Sequence, residues 1–178
     1  MPTPPGTGTL ADQIRRLERR VEELGRTKAV LPACVVRLTG ATNVAADSDT
    51  YAQQGWSPTY DPFGMLVAGS AGVPAYISIT RAGYYRVHYH CSVGGANAVA
   101  GCKVTLNAPT VNNAIATDAG SITQQGLDGA VLDAQRSRIY LSVGDRLYWS
   151  AWCFVAATLR ASQFGVPSEI TVQAITSL

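Results

Sequence analysis

Charge is scarce in this sequence: only 15% of the 178 residues are Asp, Glu, Lys or Arg, and the formal net charge is +2. Up to Val30 stand six basic residues (Arg15, Arg16, Arg19, Arg20, Arg26 and Lys28) and four acidic ones (Asp12, Glu18, Glu22 and Glu23), which leaves eight of each sign for the remainder. A neutral bulk without a basic stripe excludes nucleic acid as an expected partner. No run approaches the roughly 20 apolar residues of a membrane-spanning helix, and Met1-Pro-Thr-Pro-Pro-Gly-Thr-Gly8 has neither the basic start nor the apolar stretch of a signal peptide. Histidine is limited to His88 and His90, and there is no Gly-x-Ser-x-Gly elbow and no His-Glu-x-x-His signature. A nucleophile therefore lacks a recognisable base and orienting group, and the expectation is a protein with no catalytic residues, no cofactor and no resident metal.

Cysteine is sparse as well. Cys34, Cys91, Cys102 and Cys153 are the four, and their spacing fits no zinc site. Two readings stay open. The cysteines serve as small buried hydrophobes with free thiols in a chain made in a reducing cytosol, or a hairpin turning at Ala96-Asn97 sets Cys91 opposite Cys102 for a disulfide.

What is abundant is turn and apolar material: 17 Gly, 9 Pro and 47% hydrophobic residues, a composition that suits a turn-rich β domain. Two segments carry the clearest signal. In Thr80–Val93, Tyr85, Val87, Tyr89, Cys91 and Val93 alternate with Arg86, His88, His90 and Ser92. In Ser137–Val155, Leu147, Trp149, Ala151, Cys153 and Val155 alternate with Tyr148, Ser150, Trp152 and Phe154. Period-two alternation assigns the first set of each to an inward face. The second set of 146–155 is too apolar to be left in water, so it is expected to meet another subunit. Further strands are read at 33–39, 75–80, 100–107, 138–143 and 169–176, some eight to ten in all, with turns at Gly94-Gly95, Asn107-Ala-Pro109, Gly144-Asp145 and Gly165-Val-Pro167. Residues 43–62 and 108–135 read as two long connections.

A Gly-Tyr-Tyr strand after Ile-Ser-Ile-Thr80, a Tyr-Leu-Ser-Val-Gly-Asp-Arg-Leu-Tyr148 turn and strand, and the Tyr60-Asp-Pro-Phe-Gly64 turn together resemble the jelly-roll heads of the complement globular-head and tumour necrosis factor superfamily. The resemblance covers about residues 33 to 178. It implies an all-β jelly-roll sandwich of antiparallel strands that assembles as a tight homotrimer around the sheet holding these two strands. Animal members of that family are exported. With no export signal recognised here, the resemblance points to a virion assembled in a host cytoplasm, as in bacteriophage fibre, spike and capsid decoration proteins.

Ahead of the head, Leu10, Ile14, Leu17, Val21, Leu24, Lys28 and Leu31 step by four and three, the seam of a coiled coil. Thr9 with Asp12 offers an N-cap and Gly25 a stop. The alternative is one amphipathic helix lying against its own head. Ile14 and Val21 at one core position with leucines at the other favour two strands. Arg20-Val-Glu-Glu-Leu24 approaches a trimer-favouring pattern, though Gly25 stands where that pattern has Glu, and the head decides for three. The organisation read from sequence is an anchor at 1–9 that contacts other virion proteins, a stalk at 10–31 and a head at 32–178.

Candidate interface residues of the trimer are Ile14, Leu17, Val21, Leu24, Arg86, His88, His90, Tyr148, Trp152 and Phe154. His88 and His90 share one strand face, where copies gathered at an axis could hold an anion or a metal; no carboxylate is recognised on that face to complete a site, and interface hydrogen bonding is the plainer role. Asp47 and Asp49 read either as a calcium pair or as an exposed turn. Tyr51, Trp56 and Tyr60 in one connection, with Asn112, Asn113, Gln124 and Gln125 in the other, offer stacking area and hydrogen bonds to a host cell-surface glycan. Against that, Trp56-Ser-Pro can plug one end of the sandwich. The leading reading is a trimeric structural component of a phage virion that contributes to attachment. The rivals are a dedicated glycan-binding tail protein and a secreted or surface cytokine-like binding module.

Overall fold

The structure, a computed structural model, describes residues 9–26, 31–95, 99–121, 129–163 and 165–177. The chain divides into two compact units, Met1–Val30 and Leu31–Leu178.

In the first unit a helix α1 runs over Leu10–Arg26. Its start is capped as the sequence suggests. The Thr9 carbonyl accepts from the backbone N–H groups of Asp12 (2.8 Å) and Gln13 (3.1 Å), and the Asp12 carboxylate accepts from the Thr9 N–H (3.1 Å) and hydroxyl (2.8 Å). A carboxylate in the first turn also meets the positive end of the helix dipole. The helix passes through Gly25 and ends one residue later than the glycine stop implied, within the fraying expected of helix ends. Leu10, Ile14 and Leu17 are 74%, 47% and 63% exposed on the helix. The side chains of Val21 and Leu24 lie outside the described residues.

The second unit is built from β1 (Ala33–Leu38), β2 (Thr42–Val44), β3 (Ser48–Tyr51), β4 (Trp56–Tyr60), β5 (Leu66–Val67), β6 (Tyr76–Ser78), β7 (Gly83–Gly94), β8 (Val99–Leu106), β9 (Ala114–Ser121), β10 (Ala130–Leu141), β11 (Arg146–Cys153), β12 (Ala157–Leu159), β13 (Ser162–Gln163), β14 (Val166–Pro167) and β15 (Glu169–Ser177). Sheet I is organised on β7. One edge of β7 pairs with β10; the other pairs with β15 and, near its end, with β12, and β15 leads on to β1 and β4. Sheet II runs β5-β6-β11-β8-β9. The inward side chains pack between the sheets, with Trp149, Tyr85, Tyr89, Met65, Ile77 and Ile79 among the largest that are fully buried.

Two local devices place the strands. Both carboxylate oxygens of Asp61 accept backbone N–H bonds, from Met65 and Leu66, each at 2.8 Å. This side chain closes the Asp-Pro-Phe-Gly turn and delivers Met65 into the core. At the opposite turn pair, the Asp145 carboxylate accepts from Ser142 N–H (2.8 Å) and Asn107 Nδ2 (2.9 Å), while the Asn107 side-chain oxygen accepts from Arg146 N–H (2.9 Å). Asn107 sits at a φ of 64°, a left-handed conformation that Asn tolerates better than most residues.

Several expectations are corrected. Residues 43–62 and 108–135 are not long connections: the first holds β2, β3 and β4, and the second holds β9 and the start of β10. The strand expected at 138–143 is the end of a strand that begins at Ala130. The strand expected to reach Val155 stops at Cys153, and Val155 is 47% exposed instead of inward. Most consequentially, β7 and β11 do not share a sheet; they face each other across the core. Strands β7 and β8 are likewise split between sheets I and II, so Cys91 and Cys102 are not cross-strand partners in a hairpin.

All four cysteines are buried free thiols. Cys102 shares a hydrogen bond with Cys91, and that contact together with burial raises its pKa far above the ordinary thiol value. Burial, and secondly the Asp61 carboxylate, pushes Cys34 up to about 12. Thiolates are the reactive form, so the native protein should give almost no fast reaction with Ellman's reagent and four thiols once unfolded. A yield of two on unfolding would mean that Cys91 and Cys102 are bonded.

Candidate functional site

The outward face of sheet I carries a polar grouping whose partners are defined. Residues directly opposite in an antiparallel pair point to the same side. Register therefore lines up Arg37 (β1), Glu169 (β15), His90 (β7) and Asp133 (β10) in one row across four strands, and Thr171, His88 and Gln135 in the next. Arg37 is ion-paired through Nε with Glu169, whose second oxygen accepts from the Thr171 hydroxyl at 3.2 Å. The Asp133 carboxylate reaches diagonally to Nε2 of His88, with the side chains 42% and 30% exposed. The two imidazole centroids are 4.0 Å apart at 62°. One ligand atom from each of His88, His90 and Asp133 can be chosen so that all three lie within 4.8 Å of one another.

Nδ1 of His90 is buried and has no hydrogen-bond partner among the described residues. A buried polar atom left in that state typically costs about 1–3 kcal/mol. The absence of a carboxylate on this face, read from the sequence, is thus corrected. Asp133 lies 45 residues beyond His88 in a stretch that reads as connection. The available signal was short: Leu132 and Ala134 are inward and buried, which turns Asp133 outward.

The outward face of sheet II is different. Tyr148 and Ser150 are 7% and 1% exposed within this single chain. Tyr51 reaches over to Ser150 and Thr105, and its hydroxyl pKa is raised by burial and, secondly, by Asp49. Asp49 accepts from Lys103 Nζ at 2.7 Å. Trp152 lies flat across Gly101, where an added Cβ would come within 2.1 Å of the indole nitrogen, and its ring meets Phe154 edge-on at 5.4 Å. Phe154 is 57% exposed. Asp47, Ser48, Asp49, Lys103, Trp152 and Phe154 line a cavity of about 220 Å³.

These placements reassign several expected site residues. Arg86, His88 and His90 lie on sheet I while Tyr148 and Trp152 lie on sheet II, with Phe154 just past the end of β11, so the two groups cannot line one outer face. Tyr148 is already covered by its own chain, and Tyr76 packs on it at 5.4 Å. Asp49 is neutralised by Lys103, which removes it from a calcium pair with Asp47. Of the two readings of Trp56, the structure takes the structural one: the ring is 7% exposed and packs edge-on against Trp149 at 5.3 Å and Tyr89 at 6.1 Å. Tyr51 is also largely covered, while Tyr60, Asn112 and Asn113 remain at the surface. Gln124 and Gln125 lie outside the described residues.

No protein-family model matches the sequence, and no curated protein matches it either. Solved structures do match. The chain is similar to Eiger TNF from S. frugiperda, with 13% identity, a TM-score of 0.57, and 83% of this chain and 94% of that one covered. It is also similar to murine APRIL in a structure at pH 5.0, with 12% identity, a TM-score of 0.54, and 80% and 99% covered. At such identities the likeness speaks for the fold alone: the β unit is a tumour necrosis factor-like jelly roll.

Proposed function

We propose that this protein is a homotrimeric, non-enzymatic virion component of a bacteriophage, with a jelly-roll head above a short coiled-coil stalk. The observation that carries the assembly is the uncovered apolar stripe of α1. Leu10, Ile14 and Leu17 stand open to water beside Arg15, Arg16, Glu18 and Arg19, and burying each leucine-sized side chain is worth about 1.5–3 kcal/mol. A 17-residue helix is marginal by itself, so partner helices account for both its stripe and its persistence. The family that the head resembles assembles in threes, which selects the trimer over the dimer.

The virion assignment is supported by four cysteines kept as buried free thiols, which suits assembly in a reducing cytosol. The structural likeness to Eiger TNF and APRIL favours a second reading, a cytokine-like binding module. Attachment to host glycan now draws on Tyr60, Asn112 and Asn113, and loses Trp56.

The full chain is expected to sediment at three times its 18.8 kDa mass at micromolar concentration; a clean monomer sinks the trimer. Antibody labelling of purified virions under the electron microscope separates the two readings, since particles that carry no label remove the virion role.

A further inference from the structure

We propose that His88, His90 and Asp133 form a binding site for a divalent first-row transition metal of the zinc class on the outward face of sheet I. Two imidazoles at i and i+2 of one strand and a carboxylate from the adjacent strand converge on one volume, with their ligand atoms within 4.8 Å of one another. Around a tetrahedral zinc-sized ion, ligand atoms at about 2.0–2.1 Å from the metal stand roughly 3.3 Å apart. An ion entering here takes the place of the His88–Asp133 hydrogen bond: those two ligand atoms part while the wider pairs close, and the change falls on side-chain torsions, because both strands are fixed by the ladder from Val93↔Ala130 to Val87↔Arg136.

The donor set selects the ion. Two imidazole nitrogens disfavour calcium and magnesium, which take oxygen ligands, and suit zinc, iron, nickel or copper. Three protein ligands leave a fourth position for water or another group. The orphaned, buried Nδ1 of His90 points independently to a missing partner. Beside the cluster, Glu169 is held by Arg37 and Thr171. The carboxylate that faces His90 from β15 is thereby occupied, and the ligand set remains two histidines and the aspartate of β10. An ion held this way staples β7 to β10 independently of how many chains assemble.

Full-length protein stripped with a chelator and titrated with Co²⁺ should develop the visible d–d bands of a nitrogen- and oxygen-ligated ion. Elemental analysis after Zn²⁺ loading should find one zinc per chain, and the melting temperature should rise with Zn²⁺ by mass action. His90→Ala and Asp133→Ala should each weaken Zn²⁺ binding by at least about 100-fold, the upper end of what losing even an outer-shell partner costs. The Asp133 side chain is 42% exposed, so its variant keeps the fold and carries the test if His90→Ala does not fold. Absence of Co²⁺ bands and of Zn²⁺ uptake in the wild type overturns the proposal. So does wild-type affinity in either folded variant.

Discussion

Trp56→Ala is expected to destabilise the β unit by about 3–5 kcal/mol, the usual cost of truncating a buried tryptophan. Trp56 is 7% exposed and closes an aromatic group with Trp149 and Tyr89. Edge-on pairs of this kind add about 0.5–1.5 kcal/mol each beyond the area they bury. In a unit of this size, each kcal/mol shifts the melting temperature by roughly 2–4 °C, so the variant should melt roughly 6–20 °C below wild type. The glycan-stacking role makes the contrary demand. It requires Trp56→Ala to fold with wild-type stability and lose only binding, and that result would show that the ring stands outside the core in solution.

That contrast marks where sequence reasoning is strong and where it stops. The inward faces of β7 and β11 were legible because alternation is a local property. Tyr85, Val87, Tyr89, Cys91 and Val93, and Leu147, Trp149, Ala151 and Cys153, are all 1% exposed or less. Period-two patterning says which residues share a face of one strand; it does not say which sheet the strand joins. The partners of β7 lie in β10, β12 and β15, well downstream in the chain, and no local pattern encodes a pairing at that range. Hence the resemblance to a jelly-roll family reached the right architecture, while the division of β7 and β11 between opposite sheets was not visible.

Weak strands were lost for a related reason. β9 turns Ala116 inward, and the first part of β10 sets a single bulky residue, Leu132, beside Ala134, so a stretch rich in Ala, Gly and Thr reads as connection. Losing β10 hid Asp133, and with Asp133 the polar cluster around the two histidines. The apolar outward face of β11 is a different case. Tyr148 and Ser150 do need cover, but much of it comes from the same chain, because β3 brings Asp49 and Tyr51 across from roughly a hundred residues upstream.

One ion pair contributes to this cover, and Lys103→Met should expose how much depends on it. Lys103 Nζ and the Asp49 carboxylate meet at 2.7 Å with side chains only 9% and 15% exposed. Removing one member of a pair this buried leaves the other charge without compensation, at about 3–5 kcal/mol, whereas replacing both by apolar residues of similar volume is often neutral. Lys103→Met alone should therefore lower stability by about that amount, and adding Asp49→Leu should recover most of it. The loss should be local as well as global, since Asp49 and Tyr51 are the side chains by which β3 grips β8 and β11. Amide exchange in 45–52 is expected to accelerate more than exchange in β7. Urea denaturation of the two single variants and the double variant closes the cycle. A Lys103→Met protein as stable as wild type would mean that Asp49 finds water when Lys103 is gone, and that the outward face of sheet II is held by apolar contact alone.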